Sequence, residues 1–445
     1  MPNKVPAVLF TGIAGINKRV ILKKVAHALC EGAFAPTKAD DIDETARRNF
    51  PIVELCNFAE PNLNAGAEAY RNQALGRLRR SQEAVAKAAA SADTKCIFLH
   101  THAVHFIDSQ FKSWTSIAPL DRLVGKGVEV KAVVALIDNS FTLLKVNHDR
   151  HWKLTLPQLL LWRDVEQMAS EVLAGGVAKT KELDERRDNF FVFSGNHPTQ
   201  TLAKLVRSQF MPRMADDNLS RLYMSFSIGE VRRRLAKGGA DAASAHEILA
   251  QNSAFREYFS EHFVSFDPST IDELPMFHKA KDSTDPTIMI NRADLKSGGD
   301  LWPSCANRLS PTDASAIELR TDHVREVLGA FATGAKVTTG LIDSYVRSRD
   351  FLLVDQSDGI VIFRPTISGE WSSGTSAEIQ RARARSMPIA VIADHADQHA
   401  GGAFETKIAD TELYVGNLSD AVDRERVFAE ATNHLRQGIA QLDQG

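Results

Sequence analysis

The sequence predicts an α/β protein with two parallel-sheet domains, and three observations carry that prediction. Short apolar runs such as "AVLF", "CIFLH" and "AVVALI" are separated by helical patterns rather than by tight turns. Those runs lack polar alternation, which is the mark of strands buried on both faces. At 445 residues the chain exceeds what one hydrophobic core normally serves, and its strand–helix order restarts near Met214.

Taken in order, "AVLFTG" reads as the first strand and "KRVILKKVAHALCEG" as the helix after it. "PIVELC" is a strand, and "AGAEAYRNQALGRLRRSQEAVAKAAASA" is a long amphipathic helix. "TKCIFLHTHA", "VEVKAVVALID" and "DNFFVFSGN" are further strands, and the helix "PTQTLAKLVRSQF" closes a first domain over 1–213. "MADDNLS" reads as a linker. A second domain over 214–445 opens with the strand "RLYMSFSI" and continues with helices at 229–237 and 243–259. Residues 276–309 are rich in Asp, Lys, Ser, Pro and Gly with weak periodicity, and read as an insertion or lid. Regular order resumes with a helix around 315–333. The strand "DGIVIF", the helix "GTSAEIQRARARS", the strands "PIAVIAD" and "TELYVG" and a terminal helix follow.

Bulk composition narrows the function classes. With 24% charged residues and a formal net charge of −3, nothing calls for nucleic acid as a partner. No run of about twenty apolar residues exists, so no membrane span is expected. Cys30, Cys56, Cys96 and Cys305 lack CxxC spacing, which speaks against a zinc site or disulfide framework and fits a reducing cytoplasm.

"TGIAGINKRV", between the first strand and first helix, stands where a phosphate-binding loop belongs. Successive backbone N–H groups at a helix start cradle anions, and a Lys reaches the outer phosphates. Gly12, Gly15 and Lys18 fit that pattern, whereas Asn17 replaces its last Gly and Arg19 its Mg²⁺-ligating Ser/Thr. With "CIFLHTHAVHF", "VEVKAVVALID" and "NHDRHWKLTLPQLLLWRDVE" following in that order, residues 5–210 resemble the archaeal-type adenylate kinases, a branch of the P-loop nucleoside monophosphate kinases. The resemblance places Thr101 and His102 at the end of an Asp-Thr-His motif, with His100 in the Asp position. It makes Arg150 and Arg163 the lid arginines that clamp phosphates. It implies ATP or GTP with Mg²⁺ at this loop. Arg19 and His100 remove oxygen ligands that Mg²⁺ would want, so nucleotide binding or sensing is expected in place of phosphoryl transfer. His100 and His102, alternating on a strand, could converge on a metal, but polar side chains at a strand end are the commoner case and no metal is expected.

The stretch "RDFLLVDQSDGIVIFRPTISGEWSSGTSAEIQRARARSMPIAVI" carries the second domain's candidate chemistry. Two carboxylates, Asp350 and Glu378, bracket a buried strand, and "SSGTSAE" puts small and hydroxyl residues ahead of Glu378 at a helix start. A first-turn Glu favoured by the helix dipole is the bland reading of Glu378. Together with Tyr223–Ile228 upstream, this stretch resembles the nucleoside 2-deoxyribosyltransferases and their relatives, the 2′-deoxynucleoside 5′-phosphate N-hydrolases. The likeness runs from about Leu219 to the C-terminus, interrupted at 276–309. It implies a flavodoxin/Rossmann-like sheet, with Glu378 capturing or stabilising an oxocarbenium-like sugar and Asp350 acting on the departing base. It also implies substrate contacts from Tyr223, Ser225, Ser227, Ser372, Gly374 and Thr375, with no cofactor. Ser372 stands where the transferases carry Asp, and a hydroxyl there suits a 5′-phosphate. Asp358, entering a buried strand, reads as structural.

The expected protein is therefore an enzyme cleaving the N-glycosidic bond of a nucleotide, governed by a nucleotide-binding domain and, by analogy, a homo-oligomer. Three other readings fit the same residues. One is an NAD-cleaving effector of bacterial antiviral defence. Another is a salvage enzyme whose first domain is an active kinase. The third is a pair of non-catalytic binding modules.

Overall fold

A computed structural model describes residues 4–31, 44–55, 67–107, 110–113, 127–177, 189–211, 219–271, 283–290, 317–328, 341–367, 370–395, 397 and 411–442. The chain divides into two compact units, Met1–Asn218 and Leu219–Gly445. The boundary thus falls within the expected linker, five residues after the expected end at 213. Each unit is built on a five-stranded, all-parallel sheet.

In the first unit the strands are β1 (Val5–Thr11), β2 (Ile52–Glu54), β3 (Ile97–His100), β6 (Val128–Ile137) and β7 (Phe190–Ser194), in the order β2-β3-β1-β6-β7. β1 lies at the centre, where Ala7, Val8, Leu9 and Phe10 are all fully buried. Helices α1 (Lys18–Glu31), α2 (Glu44–Asn49), α3 (Ala67–Ala90), α4 (Ser140–Asp149), α5 (Leu156–Val177) and α6 (Thr199–Phe210) connect the strands. Ala7, Leu9, Ile97, Leu99 and Val133 pack with Leu173 and Ala174 of α5 on one face. On the other face Phe98 meets Phe10 edge-on and stacks on Phe50. The strand expected over "TKCIFLHTHA" is shorter than read, and a separate strand follows it. β3 stops at His100, and β4 (Val104–Ile107) turns away to pair antiparallel with β5 (Gln110–Ser113).

In the second unit the order is β16-β15-β12-β8-β9, that is, 2-1-3-4-5 in chain order, the flavodoxin-like arrangement. The strands are β8 (Arg221–Phe226), β9 (Val264–Phe266), β12 (Gly359–Phe363), β15 (Ile389–Asp394) and β16 (Glu412–Gly416). Side chains alternate across a strand, and in β8 this divides the labour. Leu222, Met224 and Phe226 join Phe255, Phe259, Phe363 and Phe428 in the core on one face. Phe363 belongs to β12; Phe255 and Phe259 come from α8 (Gly239–His262), which follows the shorter α7 (Ile228–Lys237), and Phe428 from α12 (Ala421–Leu442). Tyr223 and Ser225 point to the opposite face, covered by α10 (Leu341–Asp355) and α11 (Ser373–Ala384).

Two sequence expectations change here. The helix expected over 315–333 is a strand, β11 (Ile317–Arg320), running into α9 (Thr321–Leu328). Ile317 and Leu319 alternate with polar residues, and β11 pairs antiparallel with β10 (Thr287–Ile290), inside the stretch expected to be an irregular excursion. Apart from 283–290, that excursion lies outside the described residues. Between β12 and α11 the chain makes a short hairpin of β13 (Thr366–Ile367) and β14 (Glu370–Trp371).

At the amino ends of β8 and β12, Asp358 accepts from the Arg221 backbone N–H at 2.8 Å and from its guanidinium. This pair ties the two central strands together where the chain enters them. Asp358→Ala should destabilise the protein by about 1–3 kcal/mol, the range for orphaning a part-buried, hydrogen-bonded charge. Urea denaturation measures it, with the m-value expected to stay unchanged.

Candidate functional site

Glu378 is the sixth residue of α11 and leans over the sheet, 9% exposed. Tyr223 Oη donates to its Oε1 at 2.7 Å and Ser225 Oγ to its Oε2 at 2.5 Å. Both donors sit on the face of β8 turned away from the phenylalanine core, so strand alternation brings two hydroxyls under one carboxylate. Burial pushes the Glu378 pKa up to about 7, helped by the nearby charge of Asp350 and opposed by the two hydroxyls and Arg349. Burial, with Glu378 and Asp350 close by, likewise holds Tyr223 well above the ordinary phenol value, so it stays a donor. Asp350, on α10, accepts from Arg349 Nε and Nη2 at 3.1 and 2.9 Å, and Arg349 Nη1 donates to the Ile271 carbonyl.

The helix starts at Ser373, one residue before the expected helix "GTSAEIQRARARS". Ser372 is the N-cap, its hydroxyl accepting from Thr375 N, and Gly374 and Thr375 already lie in the first turn. Thr375 is buried and Gly374 exposed. Among the described residues, a Cβ at Gly374 would meet only Ser372 Oγ at 3.7 Å, so their packing does not demand glycine there. Ser227 is the N-cap residue of α7, yet its hydroxyl makes no cap bond. It lies 3.2 Å from the carbonyl oxygens of Arg364 and Pro365, just past β12. Tyr223, Ser225, Ser227, Ser372, Thr375, Asp350 and Glu378 therefore gather about the carboxyl ends of β8 and β12. In this strand order the chain's path reverses between those two strands, and open α/β sheets bind ligands in that crevice.

The first unit's loop is arranged differently. Gly12 and Gly15 have φ of 139° and 101°, and a Cβ at either would come within 2.5 Å of Leu136 O or Val146 Cγ1. Lys18 is buried and wraps beneath the loop, donating to Gly12 O at 2.7 Å, with His102 Nδ1 at 3.0 Å. Glu166 of α5 accepts from the backbone N–H groups of Gly12, Ala103 and Val104 at 2.7–2.8 Å. Burial drives this Lys and this Glu towards their neutral forms, each opposed by the other's charge. Arg19 is exposed, and Arg150 lies over the Trp152 ring. Arg163, expected as a lid clamp, is buried and donates to the Asp138 carbonyl at the end of β6. His100 closes β3, while His102 lies beyond the strand and packs against His105, 5.1 Å between rings, so the two do not share a strand face. Burial pushes His100 and His105 down to about 3. Among the described residues no three His, Cys, Asp or Glu side chains form a metal-binding group, and no helix is long and apolar enough to cross a membrane.

No protein-family model and no curated protein matches the chain. Sequence reasoning did not single out Glu166, Arg364 or Asp397 as site residues. Glu166 was findable, because it falls on the buried period of α5 with Leu159, Trp162, Ser170 and Leu173.

The raised pKa of Glu378 makes a stability statement. Its neutral form is the stable one in the fold, so its contribution is complete below the ordinary carboxyl value near 4.5 and is lost as pH rises through about 7. Glu378→Gln should therefore unfold at higher urea than the wild type at pH 8, by on the order of 2–3 kcal/mol. At pH 4 the two should coincide. A variant less stable than the wild type at pH 8 would contradict the burial of an ionised carboxylate.

Proposed function

We propose that the C-terminal unit cleaves the N-glycosidic bond of a nucleotide at Glu378. The observation that supports this most is the buried carboxylate at the sheet's carboxyl-end crevice, held by two hydroxyl donors beside a second carboxylate. Breaking the bond between C1′ and the base nitrogen leaves positive charge on the sugar, and an adjacent carboxylate stabilises that charge or bonds to C1′. Water then supplies OH to C1′, and the base leaves with a proton. A carboxylate with a raised pKa is the better nucleophile once ionised. Tyr223 and Ser225 fix its orientation, and Asp350, braced by Arg349, serves the departing base. The N-terminal unit, with its Gly-rich loop and Lys18, is the nucleotide-binding partner that governs this site.

Incubating the pure protein with a mixed nucleotide and NAD pool, with and without ATP or GTP, tests the reading. A free base should appear, and Glu378→Gln should reduce its release at least about a hundredfold. The rate should rise as pH passes through about 7, where Glu378 ionises. Release of nicotinamide instead would keep the chemistry and move the substrate to NAD, whereas an undiminished Gln variant would remove Glu378 from the mechanism.

Ser372→Asp isolates the substrate's charge, because Asp caps a helix as well as Ser does. The wild type should prefer a 5′-monophosphate over its nucleoside. A carboxylate about 4 Å from the phosphate costs roughly 4 kcal/mol per charge pair at an effective dielectric near 20, enough to erase that preference. Equal kcat/KM ratios in the two proteins would mean that Ser372 does not face the 5′ end.

A further inference from the structure

The turn that follows β12 is built under constraint. Arg364 has φ of 45°, a left-handed backbone that a bulky L-residue keeps only when its surroundings hold it there. Its guanidinium is buried: Nε and Nη2 donate to the two carboxylate oxygens of Asp397, both at 2.9 Å, and Nη1 donates to Gln251 Oε1 at 2.8 Å. Asp397 stands three residues past β15 and is 4% exposed, and Gln251 belongs to α8. A planar fork bonded through two parallel N–H groups fixes orientation as well as position.

What this grip fixes is backbone. Arg364 N donates to Ile392 O at 2.8 Å, extending the β12–β15 ladder by one residue. The Arg364 and Pro365 carbonyls then face Ser227 Oγ, and Pro365 O also accepts from Ser372 N at 3.4 Å. Ser227 and Ser372 are the residues from which α7 and α11 start. One short turn thus joins the two helix starts that flank the Glu378 crevice.

We propose that Arg364 is a positioning residue, the Arg364–Asp397 pair holding a strained turn whose carbonyls set the starts of α7 and α11 and so seat Glu378 over Tyr223 and Ser225. Its catalytic consequence rests on the glycosidase reading; its structural consequence does not.

The test uses the full chain carrying Asp397→Asn, which keeps shape and removes charge, or Arg364→Gly, which tolerates the left-handed backbone and removes the fork. Amide hydrogen exchange in the first turns of α7 and α11 should quicken at least about tenfold in both, with the β8 and β12 amides unchanged. On a nucleoside 5′-monophosphate, kcat should fall at least about tenfold while KM moves less than about threefold. Added guanidinium ion should restore part of the Arg364→Gly rate and none of the Glu378→Gln rate. Unchanged exchange at both helix starts, or exchange quickened equally throughout the sheet, overturns the inference. If exchange responds as stated but the wild type releases no base from any nucleotide, the inference stands and the glycosidase reading falls.

Discussion

Burying the carboxylate of Glu378 imposes the conditions that the rest of the C-terminal unit meets. A carboxylate removed from water needs donors in fixed places, and the ones it finds are Tyr223 Oη and Ser225 Oγ. Two donors two residues apart can serve one acceptor only from the same face of a strand. β8 must therefore lie in the sheet with Leu222, Met224 and Phe226 on the other side, and the phenylalanines of α8 and α12 meet them there. Helix α11 must start where its sixth residue reaches the sheet, and the Ser372 cap together with the Pro365 carbonyl marks that start.

Glu166 in the N-terminal unit is as deeply buried, yet its chemistry differs. It takes three backbone N–H donors from the β1–α1 loop and the chain after β3, and none of those donors can rotate away. Glu378 is held by hydroxyls, which can turn to a ligand or share a proton as charge develops. One carboxylate works as a staple between a helix and a loop. The other is restrained while keeping lone pairs that a reacting centre can use.

The fold class was legible because unbroken apolar runs in a helical context leave little alternative to buried parallel strands. Tyr223, Ser225 and the role of Glu378 are what the resemblance to the deoxyribosyltransferases implies; strand alternation and the Ser372 cap supply the physical reason they meet. The β10–β11 pair was not legible, since its two short strands lie on either side of a polar stretch and look irregular one at a time. Arg364 and Asp397 were hidden for a similar reason. Their partnership spans 33 residues and four elements, and neither residue sits in a local pattern that names the other. A strained φ leaves no trace in sequence when the residue is Arg instead of Gly.

The two ends of the β8–β12 pair show how position decides what a charge does. At the amino ends Asp358 meets Arg221 at once, and its oxygens are spent on one backbone N–H and one guanidinium. At the carboxyl ends helices start, so orphan N–H groups and small side chains collect, and the sheet's path reverses to leave a crevice. Arg364 stands at that same end, yet Asp397 and Gln251 consume its charge, and it contributes geometry alone. Among the described residues, Glu378 differs from Asp358 and Asp397 in having no cation bonded to its carboxylate, only hydroxyls and the neighbouring Asp350–Arg349 pair. Burial raises Asp397 as it raises Glu378, but the Arg364 fork opposes the rise in Asp397 and occupies both of its oxygens, whereas Glu378 is held by neutral hydroxyls. That contrast, more than burial itself, is what singles out Glu378 among the carboxylates of this sheet.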